Sequence, residues 1–285
     1  MSATGPLVLA AVLAAAVLHA SWNAVAKAVD DRWGLFARAA VVGVAVAVAA
    51  LPFTDPPASA SWPWLAASVL VHVGYNWALI AAYRVGDFNQ TYPLARGLGP
   101  LLVTTVAVLV IGERLTTGAA VGVALITGAV AVLGLTPPSL LRSRRPAVLT
   151  AVLTGLAIAG YTLIDGVGVR QSGSPLGYTL WMSGLQSLLT VAVLALPGPR
   201  RGRAGGTASE WALATGAGLM SLLAYGLVLW AQAHGTLAAV AALRESSVVV
   251  AAAIGVRFFG EPLGRTRVAA SVAVAAGVVL LAAAG

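Results

Sequence analysis

The sequence contains few charged residues. Only 9% of its 285 residues are charged, and 59% are apolar. Soluble domains carry about 25% charged residues, which cover their hydrated surface. This chain cannot cover such a surface, so its composition excludes an ordinary water-soluble protein and predicts one that lies in a membrane.

Cysteine is absent, which excludes disulfides and thiolate chemistry. The sequence also lacks HExxH, a nucleophile elbow, an acid pair and the GxxxxGK[ST] loop of ATPases. Its three histidines are far apart and have no metal-ligand spacing. We therefore expect neither enzymatic activity nor a metal or other cofactor.

Long apolar runs recur along the whole chain, and each is long enough to cross a hydrocarbon core of about 30 Å. The runs do not alternate polar and apolar residues at period two, which argues against an outer-membrane barrel. We predict an all-α membrane protein with ten transmembrane helices. The predicted spans are 6–27, 34–52, 62–83, 88–111, 116–135, 147–165, 174–197, 210–233, 236–259 and 264–284. The first span has no basic residues before its apolar core, so we expect a retained helix rather than a cleaved signal.

An internal repeat appears when Arg96 is aligned with Arg244, an offset of 148 residues. Gly112–Glu113 then aligns with Gly260–Glu261, and one small-residue helix follows in each half. Each half holds five spans, and because five is odd the second half must enter the membrane from the opposite side. We predict two inverted five-helix repeats, 1–136 and 147–285, joined by a basic linker at 137–146, as in many secondary transporters.

Arg96 lies in PLARGLGP, about eight residues into the fourth span, and Arg244 lies equally deep in the ninth. At 1.5 Å per residue both arginines are about 12 Å from the membrane surface. An arginine at that depth rarely faces lipid, so we expect both to line one cavity. Pro93, Gly97, Gly99 and Pro100 should loosen the helix beside Arg96. The alternatives are a snorkelling Arg96 and a structural ion pair between Arg244 and Glu245.

Other polar residues fall within the apolar spans, where they should face protein or water rather than lipid. His19, Asn23 and Lys27 share one helix face by their spacing of four. We consider these residues candidates for substrate binding, with helix–helix hydrogen bonding or interfacial anchoring of aromatic rings as the alternative. The candidates besides Arg96 and Arg244 are His19, Trp22, Asn23, Lys27, His72, Tyr75, Asn76, Tyr161 and Asp165.

Glu113 and Glu261 each follow a glycine just before a helix, where a carboxylate can accept from unpaired N–H groups. We expect them, with Glu245, to serve coupling or structure, and capping is the favoured role for the first two. Gly118 and Gly122 form a GxxxG pair, which is typical of close helix packing.

Three phrases resemble the drug/metabolite transporter superfamily, EamA type. They are HASWNAVAK in the first span, YPLARGLGPLLVTTVAVLVIGERLT across the fourth and fifth, and RFFGEPLG before the last. The resemblance covers the whole chain and implies a ten-helix carrier of small metabolites, often an exporter, without ATP hydrolysis. The second repeat departs from the first, since Pro93 and Pro100 align with Ala241 and Val248.

We expect a secondary transporter in the cell membrane that moves a small anionic or zwitterionic metabolite by alternating access, because arginine binds carboxylate and phosphate well. One alternative is an exporter of cationic compounds, and the other is a structural membrane protein that transports nothing. The expected partners are a small-molecule substrate and the lipid bilayer, without nucleic acid, and a homodimer is left open.

The short connections carry an uneven charge. Those on one side hold ten arginines, and those on the other hold two, Arg114 and Arg170. The positive-inside rule places the ten in the cytoplasm and both termini outside. The family resemblance implies cytosolic termini instead. The ten arginines are Arg32, Arg84, Arg142, Arg144, Arg145, Arg200, Arg201, Arg203, Arg265 and Arg267.

Overall fold

The fold is a bundle of α-helices, seen in a computed structural model that describes residues 5–85, 88–135, 145–195, 205–260 and 264–284. Within these ranges the side chains of 76–97, 134–148, 150–151 and 195 are not described. The described residues form α-helices and two short 3₁₀ turns. The helices are α1 (Pro6–Ala28), α2 (Arg32–Ala50), α3 (Trp62–Val85), α4 (Phe88–Leu109), α5 (Thr117–Leu135), α6 (Arg145–Gln171), α7 (Pro175–Ala195), α8 (Ala208–His234), α9 (Leu237–Arg244), α10 (Ser247–Phe259) and α11 (Arg265–Ala283).

Each of the ten predicted spans coincides with a helix, and most ends agree within two residues. Two differences matter for function. The sixth helix continues to Gln171, so Asp165 lies well inside it rather than at its end. The ninth span is divided at Glu245 and Ser246 into α9 and α10. Seven described segments are long and apolar enough to cross a membrane, and Leu98–Leu109 and Thr117–Leu133 are shorter apolar helices.

The sequence predicts a loosened helix at PLARGLGP, and this prediction is wrong. The α4 helix is continuous through Pro93 and Pro100. Proline is tolerated in membrane helices where neighbouring groups or local adjustments satisfy the freed carbonyl groups. The break instead lies in the second half, where neither proline is present. Position in the bundle, rather than the local sequence, decides which of the two helices is interrupted.

The helices of the two halves pack mainly against one another. The first helix contacts α8, α9 and α10, whereas α6 contacts α3 and α4. The second helix packs on α7 and α8, and α5 packs on α11. The two sets of contacts are equivalent. The first helix of one half, α1 or α6, packs against the third and fourth spans of the other half. The core therefore lies between the halves.

Close packing of α5 on α11 depends on glycine, as the GxxxG pair predicts. A Cβ on Gly122 would lie 2.9 Å from the carbonyl oxygen of Gly277, and one on Gly118 would lie 3.2 Å from Ala284 Cβ. A Cβ on Gly277 would lie 2.6 Å from Ile126. Only a hydrogen at these positions lets the two backbones come so close.

Candidate functional site

A fully buried carboxylate, that of Asp165, lies at the centre of a polar cluster. The hydroxyl of Tyr178 donates to one oxygen of Asp165 at 2.9 Å, and the hydroxyl of Tyr225 donates to the other. Ser68 of α3 lies close to this carboxylate, and its hydroxyl is 3.1 Å from His72 Nδ1. Asp165 itself has no exposed surface. Helices α3, α6, α7 and α8 thus meet at one acidic side chain, whose burial would be costly without these bonds.

Aromatic rings surround this carboxylate. The ring of His72 stacks on Tyr161 at 4.1 Å between centroids and meets the edge of Tyr225 at 5.5 Å. Tyr75 contacts Tyr161 at 5.7 Å. His72 Nδ1 lies 3.0 Å from the carbonyl oxygen of Ser68 and 3.1 Å from the hydroxyl of the same residue. The predicted candidates His72, Tyr75, Tyr161 and Asp165 therefore lie together, with the rings beside one buried acidic side chain.

The second part of the site is the break between α9 and α10. Around it the backbone bonds run from each N–H to the carbonyl three residues earlier, as in a 3₁₀ turn: Glu245 to Ala242 at 2.9 Å and Ser246 to Leu243 at 3.0 Å. All eight residues of α9 are buried. Such a turn within an apolar bundle marks a place where polar groups gather, and here these are Arg244, Glu245, Ser246 and Ser247.

Arg244 and Glu245 form a loose ion pair, with 3.9 Å between Nε and Oε1. The structural ion pair considered from the sequence is therefore present. Arg244 also acts electrostatically on His72 and Tyr225, as Asp165 does. Charges of both signs thus flank the same aromatic cluster. The hydroxyl of buried Ser246 has no hydrogen-bond partner in the structure as described.

The polar stripe of the first helix forms a separate group. Trp22 Nε1 donates to His19 Nδ1 at 3.3 Å, and Asn23 Nδ2 donates to the carbonyl of His19 at 2.7 Å. The Trp22 ring also meets Phe36 edge to face. Lys27 Nζ lies over the ring of Phe259, 4.6 Å from its centroid. The two hydrogen bonds lie within α1, whereas the contacts of Trp22 with Phe36 and of Lys27 with Phe259 join α1 to α2 and α10.

Glu113 caps a helix, but not the one that follows it in sequence. Its two carboxylate oxygens accept from the backbone N–H groups of Leu237 at 2.7 Å and Ala238 at 3.1 Å, in the first turn of α9. Thr236, at the N-cap position of α9, makes no capping bond of its own. Arg170 also donates to Glu113, at 3.0 Å. Glu113 thus caps a helix, as the sequence predicts. Tertiary packing makes this helix α9, whose first residue is 124 positions away in the chain.

Gly112 explains why a glycine precedes this glutamate. Its φ of +77° is in the left-handed region, which glycine adopts without strain. There it ends α4, and the N–H of Glu113 returns to the carbonyl of Ala107 at 2.9 Å. Gly260, the aligned glycine, has a φ of +63° at the end of α10. The glycines of both Gly-Glu pairs thus end helices.

Sequence reasoning missed several residues. Tyr178 and Tyr225 bind Asp165 but are not among the candidates from the sequence, because only the fold brings them to α6. Arg38 was also overlooked, although an arginine seven residues into an apolar helix is a detectable signal. Its side chain is 2% exposed and donates to the carbonyl of Gly205 at 3.1 Å.

Three predicted residues are outside the described part of the structure. The side chains of Arg96 and Asn76 are not described, although both residues lie in helices, and Glu261 is not described at all. Among the described residues no group of three or more His, Asp or Glu side chains has a metal-binding arrangement.

Comparison with known proteins agrees with this architecture. A crystal structure described only as that of a protein aligns with 96% of this chain and 94% of its own, with a TM-score of 0.72 and 17% identity. At that identity the likeness shows the fold alone. A search of curated proteins gave no match. The family model of the EamA-like transporter family matches residues 145–283. Over these residues, just under half of the chain, the sequence therefore matches the EamA-like transporter family, which is part of the drug/metabolite transporter superfamily.

Proposed function

We propose that this membrane protein is a secondary carrier that moves a small anionic or zwitterionic metabolite by alternating access. In this proposal it exports the metabolite across the cell membrane. The observation that carries the proposal is the broken ninth span. At this break lie buried Arg244, which interacts electrostatically with His72 and Tyr225 of the Asp165 cluster, and the buried Ser246 hydroxyl, which has no hydrogen-bond partner in the structure as described. Broken helices inside a bundle are where many secondary transporters bind their substrates.

Arginine favours a substrate with a carboxylate or phosphate group. Arg244 meets its ion-pair partner at 3.9 Å, longer than a hydrogen bond, so its guanidinium keeps donors for a planar anion. We propose that Arg96, aligned with it in the first repeat, contributes a second guanidinium from α4. Asp165 with its aromatic neighbours suits an ammonium group. Together these groups fit a zwitterionic substrate. Asp165 and its aromatic neighbours are also the observation that favours the alternative function, an exporter of cationic compounds.

The two halves, 1–136 and 147–285, joined by the linker 137–146, would act as inverted repeats. The helix pairings support this arrangement. The contact of α1 with α8 corresponds to that of α6 with α3, and the contact of α1 with α9 and α10 corresponds to that of α6 with α4. The pairs α2–α7 and α5–α11 each join equivalent helices of the two halves, so exchanging the halves leaves these contacts unchanged. Relative rocking of two such units is a common way to alternate access around a central site.

The test is efflux from proteoliposomes loaded with three matched mixtures: amino acids, the same carboxylic acids without the amine, and the same amines without the carboxylate. We expect wild-type protein to release carboxylate-bearing compounds, and Arg244→Lys or Arg96→Ala to reduce this release about tenfold or more, since the planar fork is lost. The matched control is Asp55→Asn, which changes an exposed loop carboxylate. Release of the amines alone would favour the cationic alternative, and release of nothing would refute transport.

A further inference from the structure

Two ion clusters lie at opposite ends of α8. The first contains Glu113 and Arg170. Arg170 donates to the carbonyls of Gln232 at 2.9 Å and Gly235 at 2.6 Å, at the last turn of α8. The second contains Arg38 and Glu210, and Glu210 lies in the first turn of α8. With 27 residues, α8 is about 40 Å long, so the clusters lie near opposite membrane surfaces. We call these surfaces the Glu113 end and the Arg38 end.

Each cluster joins the first half of the chain to the second. At the Glu113 end, a carboxylate from the α4–α5 connection holds the start of α9 and receives Arg170 from α6. At the Arg38 end, a guanidinium from α2 faces Glu210 and the carbonyl of Gly205. Any motion that separates the halves at one end must break the cluster at that end.

The two clusters differ in strength. At the Glu113 end the ion pair is a hydrogen bond of 3.0 Å, and the Glu113 side chain is 7% exposed. At the Arg38 end the distances are 3.8 Å to Glu210 and 3.9 Å to Asp31, whose side chains are 40% and 50% exposed. Exposed, long ion pairs contribute little, whereas buried charge-assisted hydrogen bonds contribute more. Arg38 Nε is also buried without a partner in the described structure.

From this geometry we infer that the clusters are the two gates of the carrier, and that Glu113 and Arg170 hold the Glu113 end closed in this conformation. The inference rests on the proposed alternating access. The Glu113 gate also positions the site, because α9 begins at the residues that Glu113 caps and ends at Arg244. Opening this gate releases the start of α9 and moves the arginine at its other end.

The absence of cysteine allows a test by labelling without background. The reporter is Ala241→Cys, one turn into α9 at a position only 2% exposed. Exposed Asp55→Cys marks the Glu113 end, because the neighbouring Ala58 bonds to Ser172 just after α6. A membrane-impermeant maleimide is added to the side on which Asp55→Cys reacts. We expect Glu113→Ala to accelerate labelling of Ala241→Cys about tenfold or more, since an ion pair and two capping bonds are lost.

Matched variants separate a gate from general loosening. Glu113→Gln keeps one carbonyl acceptor, so its acceleration should be smaller, and Arg170→Lys should resemble it. Glu210→Gln weakens the opposite gate and should not accelerate labelling. The exchange Glu113→Arg with Arg170→Glu should fail to restore slow labelling, because arginine cannot accept from the N–H groups of α9.

The inference is overturned if Glu113→Gln and Arg170→Lys are monodisperse and label at the wild-type rate, if Glu210→Gln accelerates labelling as much, or if the charge exchange restores slow labelling. Should Glu113→Ala fail to fold, the Gln and Lys variants decide. Labelling requires no substrate, so its outcome is independent of transport. Efflux without an effect of Glu113 on labelling would refute the gate alone, and a labelling effect without efflux would refute the carrier alone.

Discussion

At the scale of single residues, burial of Asp165 is the feature with the largest consequences. A carboxylate without exposed surface is tolerated here because hydroxyl groups from two other helices donate to it. Tyr178 and Tyr225 each donate to one of its oxygens. The same side chain therefore holds α6, α7 and α8 together and presents an acidic group to the aromatic cluster.

Replacing Asp165 by asparagine and by leucine should separate these two roles. Leucine leaves the buried hydroxyls of Tyr178 and Tyr225 without their acceptor, at about 1–3 kcal/mol for each unsatisfied group. Asparagine keeps one carbonyl acceptor, replaces the other oxygen by an amide group that can donate to a tyrosine hydroxyl, and cannot carry a negative charge. We expect Asp165→Leu to lower the melting temperature of the detergent-purified protein clearly more than Asp165→Asn does, while both lose efflux of amine-bearing substrates. Equal melting temperatures for Asp165→Leu and wild type would show that the network does not stabilise the fold.

At the scale of elements, α5 and α11 show what small residues do in this bundle. Their contact joins the fifth helix of each half, and it has almost no room between Gly122 and Gly277. Without a strong hydrophobic force between helices in lipid, this close packing is what holds such a pair.

A methyl group at Gly122 should therefore separate the pair. Its Cβ would lie 3.0 Å from Leu281 Cγ and 2.9 Å from the backbone oxygen of Gly277, which cannot move without shifting α11. We expect Gly122→Ala to destabilise the protein by about 1–3 kcal/mol, the usual cost of overpacking, and Gly122→Val to cost more. Gly128→Ala, in the same helix with nothing within 4 Å, is the control and should leave the melting temperature unchanged or slightly higher. Thermal unfolding of the three variants measures this, and similar values for Gly122→Ala and Gly128→Ala would contradict it.

At the scale of the whole molecule, orientation depends on the distribution of arginine. The ten arginines of the basic side belong to connections at the Arg38 end, whereas Arg114 and Arg170 lie towards the Glu113 end. Both termini also lie at the Glu113 end, because ten spans return the chain to the side where it began.

We predict that the Arg38 end faces the cytoplasm and both termini face outward, since lysine and arginine in short connections set orientation. Alkaline phosphatase fused to the C-terminus should be active, and a fluorescent protein that matures only in the cytoplasm should be dark. Fusions after residue 204, in the basic connection before α8, are the internal control and should give the opposite pattern. An inactive phosphatase with a bright C-terminal fusion would mean that the termini are cytosolic, as the family resemblance implies.

The ten spans, their approximate ends and the close packing at Gly118 and Gly122 were predictable from the sequence, because length and hydropathy are local properties that a bilayer selects directly. The alignment of Arg96 with Arg244 and of the two Gly-Glu pairs was equally visible. Tertiary structure decided which groups meet. It divided the ninth span rather than the proline-containing fourth, brought Tyr178 and Tyr225 to Asp165, and gave Glu113 the start of α9 to cap. These contacts join residues up to 125 positions apart, and a buried charge or N–H group accepts whichever partner the packed helices bring within about 3 Å.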